Sequence, residues 1–126
     1  MTSLVAVGIG GALGAISRYL VVDLSAKVFG TSFPYGTLIV NSLGSFLLLF
    51  LLTIVLSKFE PSSSLRLLIA VGFMGSFTTF SSFSYETITL FHEGFYCKAI
   101  INVVLNNLLA ISFGVAGLYC GKLFIH

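Results

Sequence analysis

The sequence is poor in charged residues. Asp, Glu, Lys and Arg make up only 8% of its 126 residues, whereas hydrophobic residues make up 57%. A soluble domain carries roughly 25% charged residues, so this chain has too few to cover a surface that faces water. The mean hydropathy of +1.10 leads to the same conclusion. We therefore expect the surrounding solvent to be lipid, and the length to suit one domain.

The chain also lacks a strong excess of either charge and has only two cysteines. A net charge of +2 is far from the basic stripe of a nucleic-acid-binding protein. Cys97 and Cys120 form no C-x-x-C motif and have no histidine pair nearby, so we interpret them as small apolar residues rather than metal or redox ligands. The N-terminus lacks the positive region and cleavage site of a signal peptide, so the first apolar run is expected to stay as a membrane helix.

Four apolar runs dominate the sequence. Because a helix rises about 1.5 Å per residue, crossing roughly 30 Å of hydrocarbon takes about 20 residues. The predicted helices are residues 3–22, 35–57, 65–91 and 99–120, joined by connectors at 23–34, 58–64 and 92–98. Charged residues inside these runs are limited to Arg18, Arg66 and Glu86. Ser63 or Ser64 is positioned to cap the third helix.

Glycines interrupt the first and fourth runs. Gly10 and Gly14 stand in a G-x-x-x-G register, and Gly114, Gly117 and Gly121 mark the fourth run. Small residues let helix backbones approach closely in lipid, so the glycines predict tight helix packing.

Basic residues near the helix ends give no preferred orientation. With four spans, Lys58, Arg66 and Lys122 belong to one side, and Arg18, Lys27 and Lys98 to the other. Two explanations fit this balance. Something other than these charges fixes the orientation, or the protein inserts both ways and opposite copies pair about a two-fold axis in the membrane plane. The balance favours the second explanation, an antiparallel dual-topology dimer.

Several polar residues lie inside the runs, where they are costly and tend to face protein or water. Asn41 is expected to bond between helices or to face a pathway. Asn102 and Asn106 share a helix face, so they form either a helix–helix seam or a polar track. Arg18 lies near the end of its run and is able to reach the headgroups. Glu86 either reaches the interface or stands beside a permeation path.

The stretch Gly72–Glu86, GFMGSFTTFSSFSYE, combines hydroxyls with regularly spaced phenylalanines. Gly72 and Gly75 weaken the helix before the Thr-Thr and Ser-Ser pairs, so a discontinuous helix is predicted, with carbonyls freed to coordinate a cation. The phenylalanines recur every three residues, as one stripe down a helix, at Phe77, Phe80 and Phe83. They either pack in lipid or protein or present their positive ring edges to an anion.

Three segments together resemble the Fluc family of fluoride channels, also called CrcB: GGALGAISRY (10–19), PYGTLIVNSLGSFLL (34–48) and the stretch Gly72–Glu86. The resemblance covers essentially the whole chain. It implies an all-α integral membrane protein of four helices, the third broken near 75–79, that forms an antiparallel dual-topology homodimer in the plasma membrane. It implies passive, selective export of fluoride from the cytoplasm. It also implies a structural sodium ion at the dimer interface, held by the backbone carbonyls of Gly75 and Thr78.

The resemblance also implies which residues border the fluoride pore. The family's asparagine and its two pore phenylalanines fall on Asn41, Phe80 and Phe83. The polar residues that accompany them fall on Arg18, Ser81, Ser84, Glu86, Asn102 and Asn106, with Ser82 a further candidate. The fourth helix departs from the pattern because asparagines stand where the family often has tyrosine and serine, and Ala110 stands at a hydroxyl position. Ser112 is two residues further on and points elsewhere.

Two other functions account for parts of the sequence. A small proton-coupled multidrug-type exporter has a similar size but needs a membrane-embedded carboxylate, and Glu86 is the only acid inside a run. A non-transporting assembly protein accounts for the glycines but not for the Phe–hydroxyl stretch. A heterodimer with a partner chain is disfavoured because Asn41, Phe80 and Phe83 are all kept. None of these readings makes the protein an enzyme.

Overall fold

The computed structural model describes residues 2–58 and 63–125, apart from the side chains of Leu56 and Lys58. Four helical stretches are long and apolar enough to cross a membrane: Thr2–Phe29, Tyr35–Val55, Ser64–His92 and Tyr96–Ile125. We call them the first to fourth spans; the second helix itself continues to Lys58. An all-helical protein with four membrane-spanning stretches was predicted, and this is confirmed. The connector expected at 58–64 lies mostly outside the described residues.

Glycines in the left-handed conformation end two of the helices. The first helix runs to Phe29, beyond the expected end at Val22, and its extension carries an ion pair of 2.9 Å between Lys27 and Asp23. It stops at Gly30, whose φ of 85° is strained for other residues. Gly94, with φ 89°, similarly separates the third span from the fourth, which begins at Tyr96.

The third span consists of several differently wound segments. Ser63 caps it, since its hydroxyl accepts a hydrogen bond of 3.2 Å from the backbone N–H of Arg66. A short α-helical turn, Ser64–Arg66, is followed by a π-helix, Leu67–Met74, and a second α-helical turn, Gly75–Phe77. The α-helix Phe80–His92 completes the span. We call residues 64–77 and Phe80–His92 its N-terminal and C-terminal halves.

Glycines form the two closest helix contacts. A Cβ at Gly14 would collide with the carbonyl oxygen of Phe73, and a Cβ at Gly72 would lie 2.7 Å from the carbonyl oxygen of Val7. These contacts join the first span to the N-terminal half of the third. The fourth span packs along the second in the same way, since a Cβ at Gly117 would collide with the carbonyl oxygen of Phe46. Tight packing at the glycines, as predicted, is confirmed.

The buried core is small and lies between the second and third spans. Its fully buried centre consists of Val40, Met74 and Phe77, with Phe73 and Leu48 packed against it. Elsewhere the helices expose large apolar side chains, among them Leu123 at 78% and Ile88 at 68%. Such an apolar exterior suits lipid or a second protein chain and would be unfavourable in water.

Candidate functional site

Helical hydrogen bonding stops between Phe77 and Phe80. The backbone is extended at Thr78 (φ −82°, ψ 157°) and at Thr79 (φ −151°, ψ 113°). The Thr79 hydroxyl then caps the C-terminal half by accepting a hydrogen bond of 3.1 Å from the N–H of Ser82. The extended pair therefore leaves backbone groups without their helical partners in the middle of the third span.

Asn41, on the second helix, pairs with these exposed backbone groups. Its Oδ1 accepts a hydrogen bond of 2.8 Å from the N–H of Thr79, and its Nδ2 donates to the Thr79 carbonyl at 3.1 Å. One turn along the same helix, Gly44 leaves room for the Thr78 methyl group, which a Cβ there would strike. The second helix is thus shaped to receive Thr78 and Thr79.

The fourth span contributes two stacked asparagines. Asn41 Nδ2 donates to Asn106 Oδ1 at 3.0 Å, and Asn106 Nδ2 donates to both the backbone and the side-chain oxygen of Asn102 at 2.9 Å. Asn102 Nδ2 donates in turn to the Thr87 hydroxyl at 2.8 Å. The sequence allowed Asn102 and Asn106 to form either a helix–helix seam or a polar track. In the structure these two asparagines join the second, third and fourth spans through hydrogen bonds.

The three phenylalanines do not form one stripe, and that expectation is wrong. Phe77 belongs to the core and is 4% exposed. Because Thr78 and Thr79 are extended, the helical periodicity is interrupted between Phe77 and Phe80. Phe80 and Phe83 therefore do not continue the helix face on which Phe77 lies. Their ring centroids lie 5.3 Å apart with planes tilted by 60°, yet Phe80 is 77% exposed and Phe83 only 8%.

A cleft of about 270 Å³ opens beside Phe80. It is bordered by residues of the second, third and fourth spans: Asn41, Ser45, Leu48, Thr78, Thr79, Phe80, Phe83, Asn106, Asn107, Ala110 and Ile111. Four of the predicted pore residues, Asn41, Phe80, Phe83 and Asn106, therefore meet at one place. Asn102 is fully buried behind the cleft, and Ser112 is exposed and does not border it.

Arg18 and Glu86 lie elsewhere, beside a second cleft of about 220 Å³ that Thr37 and Ser82 also border. Arg18 Nε donates to the Ser76 carbonyl at 3.0 Å, and the Thr37 hydroxyl donates to Glu86 Oε2 at 2.8 Å. Glu86 Oε1 is buried with no hydrogen-bond partner among the described residues. The charged candidates thus occupy a separate polar site.

The two remaining candidates are hydroxyls on the first turns of the C-terminal half. Ser81 is exposed, and its hydroxyl lies 3.3 Å from that of Thr79. Ser84 is half-buried. Ser81 lies near the cleft beside Phe80 through its contact with Thr79, and Ser84 borders neither this cleft nor the one beside Arg18 and Glu86.

The backbone around the extended pair fits the expected sodium ligands. In an uninterrupted helix the N–H of Thr79 would bond the Gly75 carbonyl, and the N–H of Ser82 would bond the Thr78 carbonyl. Here the first donates to Asn41 and the second to the Thr79 hydroxyl. Both carbonyls are thereby released from these bonds, and uncharged carbonyl oxygens are the donors that freed backbone offers to Na⁺ in membrane proteins.

Sequence reasoning missed Thr37, Ser45 and Thr87. Thr37 and Ser45 stand four residues before and after Asn41, and Thr87 stands four after Phe83. This spacing places each on the helix face of a residue already singled out, so it could have identified them.

Comparisons with known proteins agree with this architecture. The family model described as "CrcB-like protein, Camphor Resistance (CrcB)" matches residues 5–118. Proteins named "Fluoride-specific ion channel FluC" are similar over nearly their whole length. The one from Legionella pneumophila (strain Lens) is 46% identical over 93% of this chain and 87% of its own. The one from Sulfurihydrogenibium sp. (strain YO3AOP1) is 44% identical over 98% of this chain and 99% of its own.

A third relative of the same name, from Dehalococcoides mccartyi (strain ATCC BAA-2100), is 48% identical over 90% of this chain and 88% of its own. None of these matches supports the exporter alternative. With a family model that covers most of the four spans, the chain belongs to the CrcB-like protein family.

Proposed function

We propose that this protein is a fluoride-specific channel that lets fluoride leave the cytoplasm passively across the plasma membrane. The observation that carries the proposal is the meeting of Asn41, Phe80 and Phe83 at a cleft beside the extended pair Thr78–Thr79. The names of the relatives, which are fluoride-specific channels at 43–48% identity, support the same conclusion.

Fluoride is small and strongly hydrated, so a pore has to replace its water with hydrogen-bond donors and still release the ion. Phe80 and Phe83 offer ring edges, the positive part of the aromatic quadrupole. Hydroxyls and amides add neutral dipoles along the path. The proposed path is bordered by Asn41, Phe80, Phe83, Ser81, Ser84 and Asn106. Asn102 is buried behind these residues, and Arg18 and Glu86 lie at the separate polar site.

The proposed assembly is an antiparallel homodimer. A single chain leaves the ring of Phe80 77% exposed and the cleft open on one side. A second copy of the chain would cover both. Opposite insertion agrees with the equal number of basic residues on the two sides, because such a chain has no electrostatic preference.

The proposed structural ion is sodium, held by the carbonyls of Gly75 and Thr78. Two carbonyls are too few for a complete shell, so the second copy would supply the same pair. Gly75 is exposed, and a Cβ at this position would meet only one atom within 4 Å, 3.9 Å away, which leaves room for such an approach. A bound cation would provide a positive field near the path that favours anions.

The test is anion efflux from liposomes loaded with potassium fluoride or potassium chloride, started with valinomycin and followed with an ion-selective electrode. Fast fluoride release without chloride release is expected. Phe80→Ala should slow it, whereas Phe124→Ala should not, since Phe124 is similarly exposed (74%) near the C-terminus. No fluoride release from well-folded protein would overturn the proposal. Release that requires a proton gradient would favour the exporter instead.

A further inference from the structure

The hydrogen bonds that leave Thr79 form one continuous, directed chain. The backbone N–H of Thr79 can only donate, so it fixes Asn41 Oδ1 as the acceptor and the amide nitrogen on the opposite side. Asn41 then donates to Asn106, and Asn106 donates to Asn102. Each side-chain oxygen accepts from the preceding residue, and each side-chain nitrogen donates to the following one. Asn41 Nδ2 also donates back to the Thr79 carbonyl.

The series of hydrogen bonds returns to the third span, where it started. Asn102 donates to the hydroxyl of Thr87, and that hydroxyl donates to the Phe83 carbonyl at 2.8 Å. A carbonyl can only accept, so the second end is fixed as well as the first. The loop therefore runs from Thr79 through the second and fourth helices to Phe83 and encloses the turn that carries Phe80.

These hydrogen bonds use the side-chain amide protons of Asn41 and Asn106 within the protein. Both acceptors of Asn41 Nδ2 are protein oxygens, the Thr79 carbonyl and Asn106 Oδ1. Both acceptors of Asn106 Nδ2 are oxygens of Asn102, which is itself 0% exposed. An anion would have to break these bonds to gain a donor from the amide of Asn41 or Asn106. The adjoining hydroxyls of Thr79 and Ser81, 3.3 Å apart, need only one hydrogen between them, so the other is free.

We infer that Asn102 and Thr87 are positioning residues, which hold the turn from Thr79 to Phe83 in place while hydroxyls rather than the buried amides meet the ion. This inference rests on the proposed function and refines its site. It separates the residues that contact fluoride from those that lie behind the cleft and hold Phe80 and Phe83 in place.

The first experiment is a fluoride titration of protein labelled with ¹⁵N-asparagine. The protein has four asparagines, at positions 41, 102, 106 and 107, so four pairs of side-chain NH₂ signals are expected. Potassium fluoride, with potassium chloride as the matched salt, should leave the signals of Asn102 and Asn106 unmoved. A saturable, fluoride-dependent shift of either one would overturn the inference. This arm needs no variant and so does not depend on how a mutant folds.

The second experiment compares Thr87→Val, which keeps the shape and removes the hydroxyl, with Thr87→Ser, which keeps the hydroxyl. Thr87→Val should shift the Asn102 amide signal more than that of Asn107 and slow fluoride efflux about tenfold, the order expected for one lost buried hydrogen bond. Thr87→Ser should retain both properties. An unshifted Asn102 signal, or equal efflux from the two variants, would contradict the positioning role.

The two proposals fail in different ways. Wild-type protein that releases no fluoride would refute the channel function, while the response of Asn102 to Thr87→Val would still decide whether the chain of hydrogen bonds exists. Conversely, selective fluoride release together with a fluoride-shifted Asn102 would keep the channel and refute the positioning role.

Discussion

The side-chain amide of Asn41 pairs with the backbone of Thr79, 38 residues further along the chain, by donating to its carbonyl and accepting from its N–H. In this way the side chain supplies the partner that the N–H of Thr79 loses where the backbone is extended. Without it, this N–H would be unpaired in the middle of the third span, which is unfavourable in a membrane.

Removing the Asn41 amide should therefore cost both stability and transport. We expect Asn41→Leu to lower the free energy of unfolding by about 2 kcal/mol, the order of a buried donor and acceptor left unpaired, and to slow fluoride efflux. Thermal unfolding in detergent measures the effect, with Asn107→Leu as the exposed control. Equal midpoints for the two leucine variants would show that the pairing with Thr79 contributes nothing.

Phe80 and Phe83 should respond differently to alanine despite their adjacent rings. Phe83 is 8% exposed, so Phe83→Ala is expected to destabilise the protein by about 3 kcal/mol through the cavity it leaves. Phe80 is 77% exposed, so Phe80→Ala should slow efflux with little change in thermal unfolding of the detergent-solubilised chain. The prediction fails if Phe80→Ala unfolds at a temperature as low as Phe83→Ala.

The glycine contacts should tolerate no added methyl group. Gly14→Ala and Gly117→Ala place a Cβ against the carbonyl oxygens of Phe73 and Phe46, so each should cost about 1–3 kcal/mol by overpacking. Gly8→Ala is the matched control on the first helix because nothing lies within 4 Å of its Cβ. Unfolding midpoints in detergent should order Gly8→Ala above the other two; a Gly14→Ala protein as stable as Gly8→Ala would show that the helices separate easily.

Sodium removal should slow fluoride efflux if the carbonyls of Gly75 and Thr78 hold this ion. Liposomes prepared with N-methylglucamine in place of sodium should release fluoride slowly, and returning sodium should restore the rate. Potassium at the same concentration serves as the control for ionic strength. Efflux that is indifferent to sodium throughout purification and assay would remove the ion from the mechanism.

Dual topology predicts that a reporter fused to the C-terminus is found on both sides of the membrane. Because the basic residues balance at three on each side, Lys122→Gln should shift the distribution toward one orientation, and adding Lys98→Gln on the other side should restore it. A wild-type reporter confined to one side would exclude the antiparallel dimer.

Much of the architecture can be predicted from short segments of the sequence. Long apolar runs predict membrane helices because hydrocarbon requires about 20 apolar residues per crossing. Glycines in the first and fourth runs predict close contacts, and the hydroxyl-rich stretch after Gly72 points to irregular backbone. Each of these follows from a few neighbouring residues, and the helices and glycine contacts agree with the structure.

The composition and order of residues thus determined by themselves the four membrane-spanning stretches, their glycine contacts and the region around the candidate site. Only the tertiary structure decided that Phe77 joins the core while Phe80 stays exposed, because two extended threonines rotate the chain between them. It also decided which amide protons are already used. Asn41 and Asn106 are 65 residues apart in the sequence, and packing brings Asn41 Nδ2 to 3.0 Å from Asn106 Oδ1. No local pattern reveals this contact, which sets the direction of the hydrogen bonds that run from Thr79 to Phe83.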